Sequence, residues 1–170
     1  MVNLVIVGVI TWFHVFSVIG WTGAALTFLI SIRPTIARYT PQASGEFLLK
    51  TFPRFLRSIQ VFTVLTLIFG PLLALSMADG PPNAFDLKSP WSLCVTTAAS
   101  IGIVMLSVVF LVLTPTANQI IHIIRQMQQN PQQKPPENLS KLQKRLAIIP
   151  PIGVTLLLSA EVFMVAAAQF

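Results

Sequence analysis

Four long apolar stretches constrain this chain of 170 residues more than any other feature of its sequence. They run at about residues 4–32, 58–77, 93–113 and 146–168. A helix that crosses about 30 Å of hydrocarbon needs roughly 20 apolar residues at about 1.5 Å each, and each stretch reaches that length. The stretches are continuous, without the alternation of membrane β-strands. The sequence therefore predicts an all-α integral membrane four-helix bundle, folded as a single transmembrane domain over residues 1–170.

The composition excludes several other classes of protein. Only 9% of the residues are charged and 54% are hydrophobic, whereas about a quarter of a soluble domain is charged. The net charge of +6 does not indicate a nucleic-acid-binding protein, because the basic residues form no stripe on a polar domain. Cys94 is the only cysteine, so no disulfide within the chain is expected.

The basic residues predict the orientation in the membrane. Ten of the eleven lie between the first and second stretches or between the third and fourth: Arg33, Arg38, Lys50, Arg54, Arg57, Arg125, Lys134, Lys141, Lys144 and Arg145. Only Lys88 lies between the second and third stretches. By the positive-inside rule, the two basic loops are cytoplasmic and both termini face outward. We expect a multi-pass protein of the cell (plasma) membrane.

The predicted connections differ in character. Residues 33–57 form a cytoplasmic linker, in which Pro41 to Thr51 is expected to form a short interfacial helix. Residues 78–92 form the outer loop, and residues 125–145 a cytoplasmic loop rich in Gln and Pro. The first stretch lacks a basic start and exceeds the length of a signal peptide, so a retained helix is predicted.

Two ionisable residues lie inside the predicted spans, where each costs roughly 2.5–3.5 kcal/mol on insertion scales. They are His14 in the first span and Glu161 in the fourth. Counted from the chain ends at about 1.5 Å per residue, their depths differ by about one turn, so the two side chains could form an intramembrane polar pair. Three hypotheses follow for this pair: a structural hydrogen bond, a metal, haem or proton site, or a contact with a partner subunit.

Soft metal ligands are also predicted near the outer side. Met77, Cys94 and Met164 offer thioether and thiol sulfur, which together with the imidazole of His14 suit copper. Their alternative role is to fill the apolar core. His122, the other histidine, is predicted at the cytoplasmic surface, about 30 Å from His14 in depth. A haem ligated by both histidines of one chain is therefore excluded.

Catalytic motifs are missing from the sequence. No phosphate-binding glycine loop, dinucleotide fingerprint, metalloprotease motif or nucleophile elbow occurs. Of the five acidic residues, only Glu161 falls within a predicted span, which leaves little for chemistry by paired carboxylates. We expect a protein that is not an enzyme by itself.

The segment from His14 to Ala25, HVFSVIGWTGAA, resembles the H-x6-W-x-G-[GA] signature in the first helix of CopD-like membrane proteins. Similar features are Phe28, Arg33-Pro34, the basic run from Pro53 to Arg57 and, more loosely, Leu113-Thr114-Pro115. The resemblance covers about the first 75 residues. It implies a four-helix unit that handles copper, with relatives that resemble haem proteins. His14 alone carries over as a candidate ligand, and Trp21 and Gly23 carry over as packing positions.

Two functions follow as hypotheses. In the first, the protein handles copper or haem at the membrane, with His14 as the anchor and Met164, Met77, Cys94 or another chain completing the site. In the second, it is a non-catalytic accessory subunit of a larger membrane metalloenzyme complex. Copper is the expected cofactor, with haem b or no cofactor as alternatives. The expected partners are the lipid bilayer and other membrane subunits or further copies of this chain.

Overall fold

The computed structural model describes residues 4–36, 38–78, 84–130 and 136–170, and most residues in these ranges are helical. Four helices are long and apolar enough to cross a membrane: α1 (Leu4–Ile36), α3 (Phe52–Met77), α4 (Pro90–Gln129) and α5 (Asn138–Ala167). The short helix α2 (Pro41–Lys50) lies between α1 and α3. No strand occurs in the described ranges. The prediction of an all-α protein with four apolar spans is confirmed.

The helices extend beyond the predicted spans, mostly at the end of the bundle that carries most of the basic residues. α3 begins six residues before Ser58, and α5 begins eight residues before Leu146. α4 continues beyond Leu113 to Gln129, so its last residues are helical where the sequence predicts the start of the loop at residues 125–145. Hydropathy marks only the portion of a helix that lipid surrounds, whereas hydrogen bonds and packing continue the helix into water. Parts of two predicted loops, residues 79–83 and 131–135, lie outside the described residues.

Two of the spans contain a π-helical segment before a proline. The segments are Phe28–Ile32 in α1 and Val108–Leu113 in α4. In each, the next backbone N–H bonds five residues back: Arg33 to the Phe28 carbonyl, and Thr114 to the Val109 carbonyl. Pro34 and Pro115 follow directly. Proline lacks an N–H and crowds the carbonyl four residues earlier, and the wider π turn accommodates that.

The centre of the core is made by all four spans. Its buried side chains are Trp21, Ile59, Met105, Val109 and Leu157. A second cluster towards the basic end joins Phe28 of α1 to Phe52 and Leu56 of α3 and Ala117 of α4. Beyond it, Ile120 and Ile123 of α4 pack against Leu142 of α5. The core is therefore continuous along the bundle, and it sets the levels at which polar side chains of different spans can meet.

Candidate polar site between the membrane spans

The interface between α1 and α3 holds most of the buried polar side chains. On α1, His14, Ser17 and Trp21 are buried at spacings of three and four, so they share one face. On α3, Thr63 and Thr66 are buried at the same kind of spacing. The two helices run antiparallel, with Ser17 opposite Thr66. We call this face the α1–α3 seam.

His14 lies in this seam and is 7% exposed. Its Nδ1 has no hydrogen-bond partner, while the ring interacts with the backbone of Thr66. The imidazole packs directly against Gly70: a Cβ built on that residue would lie 3.0 Å from His14 Cε1. A side chain at position 70 would therefore compete with the imidazole for space. The seam holds His14 in place with one ring nitrogen left unpaired.

Next to His14, two hydroxyl groups connect the helices. Thr66 Oγ1 donates to Ser17 Oγ over 3.1 Å, and Ser17 Oγ donates to the His14 carbonyl over 2.8 Å. Each hydroxyl is satisfied without water, which matters because an unpaired polar group in hydrocarbon is costly. The arrangement ties α1 to α3 at the level of His14.

Glu161 occupies a different position from the one predicted. Its Oε1 accepts a hydrogen bond from Thr22 Oγ1 of α1. Thr22 is eight residues beyond His14, about 12 Å along the helix. In the described part of the chain, no hydrogen bond or ion pair joins His14 to Glu161. Counting depth from the chain ends neglects the tilt and offset of α5 relative to α1, which only packing determines.

A third polar link was missed in the sequence. Gln60 Nε2 of α3 donates to Thr114 Oγ1 of α4 over 2.9 Å, and Thr114 Oγ1 donates to the Val109 carbonyl over 2.8 Å. The Val109 carbonyl belongs to the π-helical segment of α4. A glutamine within an apolar stretch, and a threonine directly before a proline, were the available signals. They carry no charge, so a search for ionisable residues does not find them.

The candidate sulfur ligands are distributed along the bundle. Met77 lies seven residues beyond Gly70 on α3, about 10 Å along the helix from the level of His14, and it is 61% exposed. Cys94 is on α4 and Met164 is on α5, and both are partly buried. Thr22 and Glu161 are in contact, so they give a common level for α1 and α5. From this level, His14 lies about 12 Å along α1, and Met164 lies about 4.5 Å along α5.

These positions show whether the side chains of one chain could together ligate a metal ion. In the part of the chain that the structure describes, no three His, Cys, Asp or Glu residues are grouped so that they could hold a metal ion. His14 supplies one unpaired nitrogen, and Met77 lies two turns away from it. The donors that the seam of this chain assembles do not by themselves make up a copper site.

His122 lies on the exposed side of α4, as expected for a surface residue. Its Nε2 is 3.1 Å from Gln126 Nε2, one turn further along the same helix.

Comparison with protein-family models, with curated proteins and with solved structures found no match for this chain. The resemblance to CopD-like proteins therefore stays a prediction based on the segment from His14 to Ala25.

Proposed function

We propose that this protein is a non-catalytic subunit that packs against other subunits of a larger membrane complex, with a membrane metalloenzyme as the expected setting. The observation that carries the proposal is an outward stripe on α1. It combines large exposed side chains with glycines whose outer side is open. Its members are Gly8, Trp12, Phe16, Ile19 and Gly23.

The stripe is narrow and continuous. At about 100° per residue its five members fall within about 80° of the helix circumference. Trp12 and Phe16 stack on one another with ring centroids 5.2 Å apart, and they are 59% and 50% exposed. A Cβ built on Gly8 or Gly23 would meet nothing within 4 Å. The surface therefore has rings that protrude at its centre and a hollow at each end.

A surface with protruding rings and with hollows at its glycines favours packing against another helix. Lipid chains are as apolar as leucine, so helices in a bilayer associate through close packing, for which glycine allows the backbones to approach. The polar side chains support the same proposal, because the hydrogen bonds between side chains of different helices connect spans of this chain to one another: Thr66 to Ser17, Thr22 to Glu161 and Gln60 to Thr114. Within the membrane, the stripe on α1 is the surface that we assign to a partner subunit.

The test is purification from the native membrane in a mild detergent, followed by measurement of the mass and composition of the particle. We expect wild-type protein in a particle that contains other polypeptides, and we expect Trp12→Ala combined with Gly23→Leu to release the chain as a folded monomer. Leu111→Ala is the matched control, because Leu111 is 74% exposed on α4, away from the stripe. A wild-type particle that contains this chain alone would contradict the proposal.

A second candidate function is the handling of copper or haem through His14, as the resemblance to CopD-like proteins implies. The specific observation in its favour is the unpaired Nδ1 of a buried imidazole whose ring is also held by the Thr66 backbone. Histidines that ligate metals usually have their other nitrogen fixed by a hydrogen bond to a carboxylate, a backbone carbonyl or water. The remaining ligands would come from a rearranged Met164, Met77 or Cys94, or from another chain.

Elemental analysis of gently purified protein tests the second candidate. It predicts copper or iron near one equivalent per chain, lost in His14→Ala and retained in His122→Ala, with helix content unchanged in both variants. His122→Ala is the matched control because it removes an exposed imidazole from the same bundle. Equal metal content in the wild type and in His14→Ala would exclude His14 as a ligand.

A further inference from the structure

A basic groove lies on the outer surface of α3 where this helix enters the apolar part of the bundle. The groove is shallow and open to the surroundings, and it is lined by α3 alone. Its lining residues are Arg54, Arg57, Ser58, Val61 and Phe62. These positions follow one another at spacings of three, one, three and one, so they lie on neighbouring rows of one helix face. Two guanidinium groups thus lie at one end of the groove, and apolar side chains form the other end.

Neither arginine is neutralised within the described part of the chain. The one ion pair found there joins Lys50 to Glu46 over 3.3 Å. Both arginines are exposed. The Ser58 hydroxyl donates to the Arg54 carbonyl over 3.2 Å, so it is already engaged in its own helix. The groove therefore presents two free positive charges to whatever lies beside α3.

The position of these two arginines relative to the membrane indicates what kind of ligand the groove could bind. The apolar stretch of this helix begins at Ser58, so Arg54 and Arg57 lie at the boundary of the hydrocarbon, where lipid phosphate groups lie. An exposed apolar row begins within the groove and continues along α3. Its members are Val61, Val64, Ile68 and Leu72. From Arg57 to Leu72 the helix rises about 22 Å, more than the roughly 15 Å depth of one hydrocarbon leaflet.

We propose that this groove binds one anionic phospholipid, with its phosphate between Arg54 and Arg57 and an acyl chain along the apolar row of α3. Guanidinium groups bind phosphate oxygens through paired hydrogen bonds, which a lysine ammonium does not reproduce. A zwitterionic lipid such as phosphatidylcholine would bring its own cation next to two arginines. The groove therefore selects phosphatidylglycerol over phosphatidylcholine, and it requires the acyl chain as well as the phosphate.

Native mass spectrometry of the full chain in detergent tests this proposal. Dioleoyl-phosphatidylglycerol, dioleoyl-phosphatidylcholine and glycerol phosphate are each titrated into the wild-type protein. We expect one phosphatidylglycerol to bind at least tenfold more tightly than either of the other two. Equal binding of the two lipids would overturn the proposal. Equal binding of phosphatidylglycerol and glycerol phosphate would show a simple phosphate site instead, and would overturn the part of the proposal that assigns the acyl chain.

Matched variants locate the binding site. Arg54→Gln with Arg57→Gln is expected to weaken phosphatidylglycerol binding at least tenfold. Lys141→Gln with Arg145→Gln removes the same charge from exposed positions on α5, near the same end of the bundle, and is expected to change binding less than twofold. Equal losses in the two double variants would show a nonspecific charge effect and overturn the assignment.

If the double glutamine variant does not fold, Arg54→Lys with Arg57→Lys retains the charges. It is expected to bind phosphatidylglycerol several-fold more weakly than the wild type, because it loses the paired hydrogen bonds. Binding equal to that of the wild type would overturn the proposed clamp on the phosphate. Circular dichroism and a single elution peak verify the fold of each variant.

Discussion

Gly70 shows how a single residue determines the packing of α1 against α3. The backbone of α3 approaches the His14 ring so closely that a Cβ at position 70 would lie 3.0 Å from Cε1 and 3.3 Å from Nδ1. Gly23 is the opposite case, because a Cβ there would meet nothing within 4 Å. The two glycines lie in membrane spans and have different surroundings, so the same substitution should have opposite effects at the two positions.

Gly70→Ala is therefore expected to destabilise the protein by about 1 kcal/mol. Crowding in a packed interface costs about 1–3 kcal/mol, and replacing a helical glycine by alanine returns about 0.5–1 kcal/mol. Gly23→Ala should stabilise the protein by about 0.5–1 kcal/mol, because it gains helix stability without crowding a neighbour. Unfolding in mixed micelles, followed by circular dichroism, measures both variants. Equal stability of the two would mean that His14 can move aside, and that the seam does not hold it.

Asp86 gives a prediction about pH in the loop before α4. The backbone N–H of Lys88 donates to Asp86 Oδ1 over 3.1 Å. This bond, the Ser92 side chain and the charge of Lys88 hold the pKa of the carboxyl below its ordinary value of 3.8. A lowered pKa in the folded state means that the carboxylate stabilises the loop above pH 3.8. That contribution is lost as the pH falls through the lower pKa of the folded state.

We expect the amide resonance of Lys88 to shift with a midpoint below pH 3.8 in protein held in micelles. Asp86→Asn should retain a side-chain acceptor and abolish the titration. The nuclear magnetic resonance signal of the Lys88 amide, followed from pH 6 to pH 2.5, measures both proteins. A midpoint at or above 3.8 in the wild type would contradict the prediction, as would an unchanged titration in Asp86→Asn.

The π-helical segment of α4 lies next to a hydrogen bond that joins α4 to α3. In α4 the segment ends where Thr114 precedes Pro115, and the Thr114 hydroxyl bonds to the Val109 carbonyl within the segment. The same hydroxyl accepts from Gln60 of α3. A proline that interrupts one helix thus coincides with a polar contact to the next. Pro115 was visible in the sequence, whereas its coupling to Gln60 depends on how α3 lies against α4.

Thr114→Val is expected to destabilise the bundle by about 0.6 kcal/mol, the average that double-mutant cycles give for hydrogen bonds between membrane helices. A double-mutant cycle with Gln60→Met should give a coupling energy between the two residues of about 0.6 kcal/mol or more. Thr97→Val is the control, because Thr97 Oγ1 bonds only to the Leu93 carbonyl of its own helix. Additive effects of Gln60→Met and Thr114→Val would contradict the link.

At the scale of the whole molecule, contacts that involve all four spans hold the bundle together. Trp21, Met105 and Leu157 meet at its centre, and three polar links join neighbouring spans. The number of spans and the basic ends of the helices could be read from the sequence. The orientation in the membrane still rests on the positive-inside rule, and it gives the last prediction.

With Cys94 replaced by alanine, a single cysteine at position 169 should react with a membrane-impermeant maleimide on intact cells. A single cysteine at position 144 should react only after permeabilisation. The reason is the asymmetry of basic residues, which directs the loops that contain them to the cytoplasm. Both positions are exposed in the structure, so a difference in labelling reports the side of the membrane and not burial. The reverse labelling pattern would contradict the prediction and would mean that both termini are cytoplasmic.

The sequence by itself determined the class of the protein, because the hydropathy and length of a segment decide locally whether it can cross a bilayer. It also singled out His14 and Glu161, since an ionisable group within hydrocarbon is conspicuous in any arrangement of helices. Only the tertiary structure decided which groups meet: His14 faces Gly70, Glu161 accepts from Thr22, and Gln60 reaches Thr114. Such pairings depend on the tilt, rotation and offset of whole helices. Those quantities result from the packing of many side chains at once, and no single stretch of sequence contains them.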